Sequence, residues 1–304
     1  MSNIQLWIVG SIGIDDIETP AEKRTGLLGG SVTYACAAAS FFTPAGAVGV
    51  VGSDFPAGFL ERYRRFGIDR TGLQTCPGAT FRWAGVYEAD FINRRTLDTR
   101  LGVFADFSPK LPEAFRDAPF VLLGNIGPSL QLHVLDQARG RPFVVADTMD
   151  LWIRIARPEL EQVIRRVDML TLNDAEARLL TGRHNLLDCA RAILAMGPRY
   201  LVIKKGEHGA MLCSGQGLAL IPAFPVEQVV DPTGAGDCFA GAFMGFLAHT
   251  RASRIDEPLL RRALLHGSVV ASFGVEAFST ERLERLTLPE IESRAAALRA
   301  MCAL

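Results

Sequence analysis

The sequence lacks the features that mark several large classes of protein. Neither sign of charge is in surplus: 32 Lys and Arg stand against 33 Asp and Glu, a formal net charge of −1. Without a basic excess or a dense Lys/Arg cluster, nothing is suited to gripping a phosphate backbone, and nucleic acid is not an expected partner. No C-x-x-C pair and no Cys/His zinc spacing occurs. The six cysteines (Cys36, Cys76, Cys189, Cys213, Cys238 and Cys302) are scattered, the usage expected of free thiols in a reducing compartment. The opening residues MSNIQLWIVGSIGIDD lack a basic segment followed by a signal-length apolar run, which speaks against secretion and for a cytoplasmic location. Two common phosphate-binding signatures, G-x-x-x-x-G-K-[ST] and G-x-G-x-x-G, are missing as well. Internal repeats, low-complexity tracts and long linkers are also absent.

What is present is an ordinary globular composition, 49% apolar and 21% charged over 304 residues. One long stretch, Thr25 to Ser53, carries no charge. On length it could span a membrane, but Gly29, Gly30, Pro44, Gly46 and Gly49 divide it into a helix and a strand. It reads as buried core, and no membrane partner is expected. Apolar runs at 5–10, 47–52, 120–125, 143–147, 168–173 and 200–206 read as strands. Amphipathic or apolar segments at 31–42, 56–67, 130–139, 159–167, 174–182, 186–197, 235–249, 258–273 and 289–302 read as helices. Near-continuous apolar strands alternating with helices predict a parallel sheet covered on both faces. The polar, alternating segments 81–91 and 94–104 predict strands with one exposed face, outside the main sheet. A single α/β domain over 1–304 with a small strand-built appendage follows.

The most informative stretch is VEQVVDPTGAGDCFAGAFMGFL, residues 226–247. It predicts a strand ending near Val230, a Pro/Gly turn, and a helix from about Ala235 to His249. Gly234 and Gly236 allow a tight turn with N–H groups directed outward, and the helix start adds unpaired donors and the positive end of the macrodipole. Such a site stabilises anionic oxygens without a basic side chain. Asp237, in the first turn, is then placed to take a proton from a hydroxyl while the pocket holds a phosphoryl group. The competing reading is that Asp237 and the glycines only cap a helix.

The segment DPTGAGDCFAGAFM (231–244) resembles the C-terminal signature of the ribokinase-like, or PfkB-type, carbohydrate kinase family, and the resemblance extends over nearly the whole chain. It implies a three-layer ribokinase-like fold with a small β-strand lid from about 12–28 and 80–104. It also implies an ATP- and Mg²⁺-dependent transfer of a phosphoryl group to a hydroxyl of a sugar or sugar-like molecule. A nucleoside kinase of the same family and a non-catalytic metabolite-binding relative are the alternatives. By resemblance Asp237 is the base, and Gly234, Ala235 and Gly236 form the anion hole. Asp231 and Thr233 fall where a monovalent cation such as K⁺ is often held. VGSIGIDDIE (9–18) resembles the first strand of the family, which makes Asp15 the acceptor-binding carboxylate, with Asp16 the alternative. LGGSVTYACAAASFF (28–42) places Gly29 and Gly30 against the acceptor; it departs from the family at Tyr34, where many relatives have Asn. LNDAEARLLTG (172–182) resembles the N-x-x-E motif. Asn173 and Glu176 would share one helix face and order water around Mg²⁺, or serve as a plain helix cap. Lys205 and Gly206 would lie near the nucleotide, as would His266 and Ser279 near the adenine, although a lysine pair is often solvated and a lone histidine often core. Phe81, Trp83 and Arg100 would reach the acceptor from the lid, or the aromatic pair would pack the core or a homodimer.

Overall fold

The structure is a computed structural model that describes residues 4–252 and 254–303. In chain order its strands are β1 (Leu6–Val9), β2 (Gly13–Glu18), β3 (Lys23–Gly29), β4 (Ala45–Gly52), β5 (Asp69–Cys76), β6 (Phe81–Tyr87), β7 (Arg94–Arg100), β8 (Phe120–Leu123), β9 (Phe143–Asp147), β10 (Met169–Asn173), β11 (Tyr200–Lys204), β12 (Ala210–Ser214) and β13 (Gly217–Ile221). The α-helices are α1 (Ser31–Ala39), α2 (Ala57–Arg65), α3 (Pro128–Leu135), α4 (Asp150–Ile155), α5 (Arg157–Arg166), α6 (Asp174–Thr181), α7 (Leu186–Leu194), α8 (Ala235–Thr250), α9 (Glu257–Gly274) and α10 (Leu288–Cys302).

Nine strands form the main sheet, in the order β13-β12-β11-β10-β9-β8-β1-β4-β5. Pairings from β11 to β5 are parallel, and β12 and β13 add an antiparallel edge. Period-two alternation sends the strand side chains to opposite faces. Leu6, Ile8, Val145, Met169 and Val202 join Ala35, Phe243 and Leu264 of α1, α8 and α9 on one face. Trp7, Val9, Val144, Leu170 and Leu201 join Leu160, Ala177 and Ile193 of α5, α6 and α7 on the other. The three layers therefore agree with the α/β fold expected.

The uncharged stretch is α1 followed by β4, and its lack of charge has a packing cause. A Cβ on Gly241 would lie 2.1 Å from the Ala35 carbonyl oxygen, and one on Gly245 would lie 2.8 Å from Ala39. Small residues on both helices let the α1 and α8 backbones touch. No described helix is long and apolar enough to cross a membrane.

A second, four-stranded sheet has the order β3-β2-β6-β7, with β2 and β6 parallel and the other pairs antiparallel. Its strands span the two polar segments anticipated outside the main sheet. Strands β2 and β3 fall within the 12–28 segment expected to contribute to the lid, whereas β5, β13 and helix α4 carry weaker periodic signals and were not anticipated. One expectation fails: no strand ends at Val230. Residues 222–234 are irregular, and the Val230 and Asp231 N–H groups both donate to the Val275 carbonyl, at 2.8 and 3.2 Å. Pro222, Pro225 and Pro232 remove donors that a ladder would need.

Candidate active site

The C-terminal ends of β9, β10 and β11 deliver Asp147, Asn173 and Lys204 beneath the start of α8, the position where open α/β sheets place their ligands. Helix α8 begins after Gly234, whose φ of 75° is left-handed. A Cβ there would also lie 2.3 Å from the Tyr34 ring. Glycine is therefore required twice over, by backbone angle and by contact. Ala235 N–H turns back onto the Pro232 carbonyl at 3.2 Å, and no side chain caps the first turn of α8. An uncapped helix start with its positive dipole end is an anion pocket in physical terms.

Asp237 sits in that first turn, half-buried. Burial, reinforced by the like charge of Asp147, raises its pKa to about 7, against the opposing pull of Lys204 and Arg94. A carboxylate with this pKa can exchange a proton near neutral pH. Lys204 Nζ bonds both oxygens of Asp147, at 3.1 and 3.2 Å, in a nearly buried pair. Burial raises the pKa of Asp147 in spite of Lys204. On Gly236, a Cβ would stand 3.0 Å from Lys204 Nζ, so the ammonium lies against the glycine turn.

Asn173 and Glu176 close a reciprocal capping box on α6. Asn173 Oδ1 accepts the Glu176 N–H at 2.8 Å, and Glu176 Oε2 accepts the Asn173 N–H at 2.7 Å. Burial, with Asp147 nearby, also raises Glu176 to about 7. The cap is thus present, and it leaves one Glu176 oxygen available for a metal-bound water. Among the described residues no group of three or more His, Cys, Asp or Glu is placed to hold a metal ion. That donor set fits Mg²⁺, which keeps several waters and takes phosphate oxygens with only one or two carboxylates.

Asp231 is buried. Its Oδ1 accepts the Thr233 N–H at 2.9 Å and its Oδ2 the Ser279 N–H at 3.4 Å, while burial raises its pKa. Thr233 donates its hydroxyl to Tyr87 Oη at 3.1 Å, which ties the turn to β6 of the smaller sheet. Asp15, on β2, is 4% exposed. Burial, with Asp231, Asp16 and Asp237 nearby, pushes its carboxyl up to about 8. Its carboxylate rests on Gly29, where a Cβ would come within 1.9 Å of Oδ2. Gly30 has φ 95° and likewise no room for a side chain. Asp16 points elsewhere, accepting the Gly26 N–H of β3 at 2.7 Å where the β2–β3 register shifts. Tyr34, 2% exposed, packs its ring beneath Gly234 and leaves its hydroxyl buried without a partner.

The other expected residues divide. Phe81 packs on Phe104, with ring centroids 5.5 Å apart, and Trp83 donates to Thr96 at 3.2 Å beneath the Arg94 guanidinium. Arg100 is exposed and pairs with Asp98 at 2.7 Å. Lys205 and Gly206 lie in the β11–β12 turn; the Lys205 N–H donates to Gly209. His266 is not brought to the turn. Its ring stacks on Phe246 at 4.1 Å, and its nitrogens face the Arg262 carbonyl and Glu292. Phe246 stands nine residues beyond Asp237 on α8, about 13 Å along the axis. Ser279 donates its hydroxyl to the Leu28 carbonyl and joins the Asp231 cluster.

Sequence reasoning missed Asp147, Lys204 and Arg94. Strand parity could have found Lys204: Val202 faces α8, so residue 204 does too and residue 205 does not. Arg94 lies opposite Tyr87 across the β6–β7 ladder, and its charge lowers both Asp237 and Glu176. Nothing local marks it.

This arrangement suits hydroxyl phosphorylation, and the comparisons with known proteins show the chain to be a kinase of that class. Residues 15–284 match the pfkB family carbohydrate kinase, and the chain belongs to that family of sugar and nucleoside kinases. Cytidine kinase of Thermococcus kodakarensis is 29% identical over 261 residues, covering 84% of this chain and 91% of that protein. Two solved structures share the fold. The nucleoside kinase of Burkholderia thailandensis in complex with inosine has a TM-score of 0.77 at 21% identity, covering 96% of this chain and 97% of that one. A putative ribokinase II from E. coli in complex with ATP and Mg²⁺ has a TM-score of 0.78 at 19% identity, covering 97% and 99%.

Proposed function

We propose that the protein is an ATP-dependent kinase that transfers the γ-phosphoryl group to a hydroxyl of a nucleoside, with a free sugar as the second acceptor class. The observation that carries this reading is Asp237, a carboxylate with a pKa near 7 in the first turn of an uncapped helix. The acceptor hydroxyl gives its proton to Asp237. Its oxygen bonds the γ-phosphorus as the bond to the bridging oxygen breaks, and that electron pair leaves with ADP. Backbone N–H groups of Gly234, Gly236 and Asp237 take up the developing charge, the Ala235 N–H being turned back onto the Pro232 carbonyl.

Asp15, with Gly29 and Gly30, forms the acceptor floor, and the smaller sheet acts as a lid that brings Phe81, Trp83 and Arg94 over it. The match to a cytidine kinase over most of the chain favours a nucleoside, and Trp83 supplies a face for its base. Gly206 borders the nucleotide from the β11–β12 turn, while Lys205, on the opposite strand parity from Lys204, has no part in this reading. His266 and Ser279 have no part in this reading, because their polar side-chain atoms are engaged with protein groups. Mg²⁺, when bound, neutralises nucleotide phosphate charge, and Asn173 and Glu176 are the residues that would order its water shell. Asp231 and Thr233 would hold a monovalent cation such as K⁺, which a comparison of activity in potassium and sodium salts tests. The exposed edge strand β7, with Leu97 and nearby Ile92, suits contact with a second copy, to be checked by sedimentation. Free cysteines and nucleotide chemistry suit a cytoplasmic setting.

The deciding experiment is ADP release with ATP and Mg²⁺ across a panel of nucleosides and sugars. Turnover with a nucleoside and a phosphorylated product in mass spectrometry is expected. ADP formation with no acceptor on the panel, or none at all, would remove the reading.

A further inference from the structure

The ion pair of Lys204 and Asp147 takes no part in the reaction as derived so far. Four features make it more than a brace. An ammonium has three protons, and Asp147 engages it from one side only, with both oxygens at 3.1 and 3.2 Å. Among the described residues Nζ has no other hydrogen-bond acceptor than Asp147, and it lies beside Gly236, where a Cβ would stand 3.0 Å from it. The carboxyl groups of Asp147, Glu176 and Asp237 all act electrostatically on this one ammonium, which is the cation on the sheet side of the turn. Finally, Thr171 stands directly beside Asp147 in the β9–β10 register, and its hydroxyl is buried with no partner. An orphaned buried hydroxyl calls for an explanation, and a carboxylate neighbour that sometimes needs a donor supplies one.

We propose that Lys204 is the side-chain cation of the nucleotide-phosphate site, that Asp147 holds it in the resting protein, and that Thr171 takes over Asp147 when Lys204 moves to phosphate. The inference rests on the kinase reading and assigns its phosphate contact to Lys204. A buried charge must stay paired, so a resting partner is needed while the site is empty. A second donor is needed for Asp147 once that partner has left.

The test is calorimetric binding of a β,γ-imido ATP analogue to the full chain without divalent metal, which reads the contact apart from turnover. Lys204→Met is expected to weaken binding about 10- to 100-fold, the scale of a hydrogen bond to a charged group. Asp147→Asn acts in the opposite direction: it frees Lys204 and removes a negative charge, and binding tightens severalfold. Thr171→Val weakens binding by about fivefold, the scale of one neutral hydrogen bond, while the melting temperature of the ligand-free protein does not fall. Because Lys204→Met leaves a buried charge unpaired, the neutral double variant D147N/K204M is measured too, and it keeps the loss seen in Lys204→Met. If the double variant instead regains wild-type affinity, the pair is only a brace and the proposal falls. Equal binding by the wild type and Lys204→Met overturns it as well. A wild type that binds no nucleotide analogue removes the kinase reading beneath it.

Discussion

The glycine-rich turn and the smaller sheet reach the same site by opposite means. At the turn the backbone does the work: Gly234 is pressed on the Tyr34 ring, Gly241 on Ala35 and Gly245 on Ala39, with no room for a single added carbon. The smaller sheet works through side chains. Strand β7 is exposed along its whole length, and what matters is which of its residues reach across, Arg94 doing so while Arg100 does not. A region held by backbone contact tolerates almost no substitution, whereas a region that delivers side chains is sensitive only at the residues delivered.

The comparison is tested most strongly at Asp237, where the turn carries its one reactive side chain. Asp237→Asn is expected to cut turnover by roughly 10²–10⁴-fold, the contribution of general-base catalysis, with a melting temperature that does not drop. Normal turnover per folded molecule would make Asp237 structural. Gly234→Ala tests the backbone itself. Left-handed strain costs about 1–3 kcal/mol, and the overlap with Tyr34 adds to it, so denaturant unfolding is expected to show a loss at or above that range. A loss below about 0.5 kcal/mol would mean the turn is not fixed by this contact.

From the smaller sheet, Asp15→Ala is expected to raise the acceptor KM by about 10- to 100-fold and leave nucleotide affinity unchanged. Equal losses for both ligands would move Asp15 from recognition to folding. A gentler effect joins the two regions. Asp15, Glu176 and Asp237 have folded pKa values of about 8, 7 and 7, above their ordinary values of 3.8, 4.5 and 3.8. Between pH 4 and 8 the folded protein therefore holds more protons than the unfolded chain, and stability falls as pH rises through that window. Turnover moves the other way, rising through about pH 7 as Asp237 becomes the free base. Denaturation at pH 5.5 and pH 8 checks the first slope, which Asp15→Asn is expected to flatten. The smallest effect belongs to Arg100→Ala: its ion pair with Asp98 is exposed, so stability is expected to shift by less than about 0.5 kcal/mol and the kinetics to stay as they are. A rise in acceptor KM would show that the sheet moves farther than its resting position implies.

Residues 231–244 announced the turn and its helix because the requirement there is local. A left-handed residue, a tight bend and an apolar, small-residue helix are all written into consecutive positions, and the alternation of apolar strands with helices determined the layered fold in the same way. The choice between neighbours was different. Asp15 or Asp16, and Lys204 or Lys205, are equivalent in composition. The structure separates them because successive strand residues face opposite sides, and only pairing with the rest of the sheet settles which side is inward. Lys204 meets Gly236, and Asp15 meets Gly29, after the chain has folded back on itself. Histidine at 266 shows the reverse: its place in a C-terminal helix pointed to the nucleotide, and packing on Phe246 took it elsewhere. The sequence by itself determined where the backbone must bend and which segments are buried, because those demands act between neighbours in the chain. Which charges share a site was decided only by tertiary structure, because Coulomb forces and desolvation depend on distance in space.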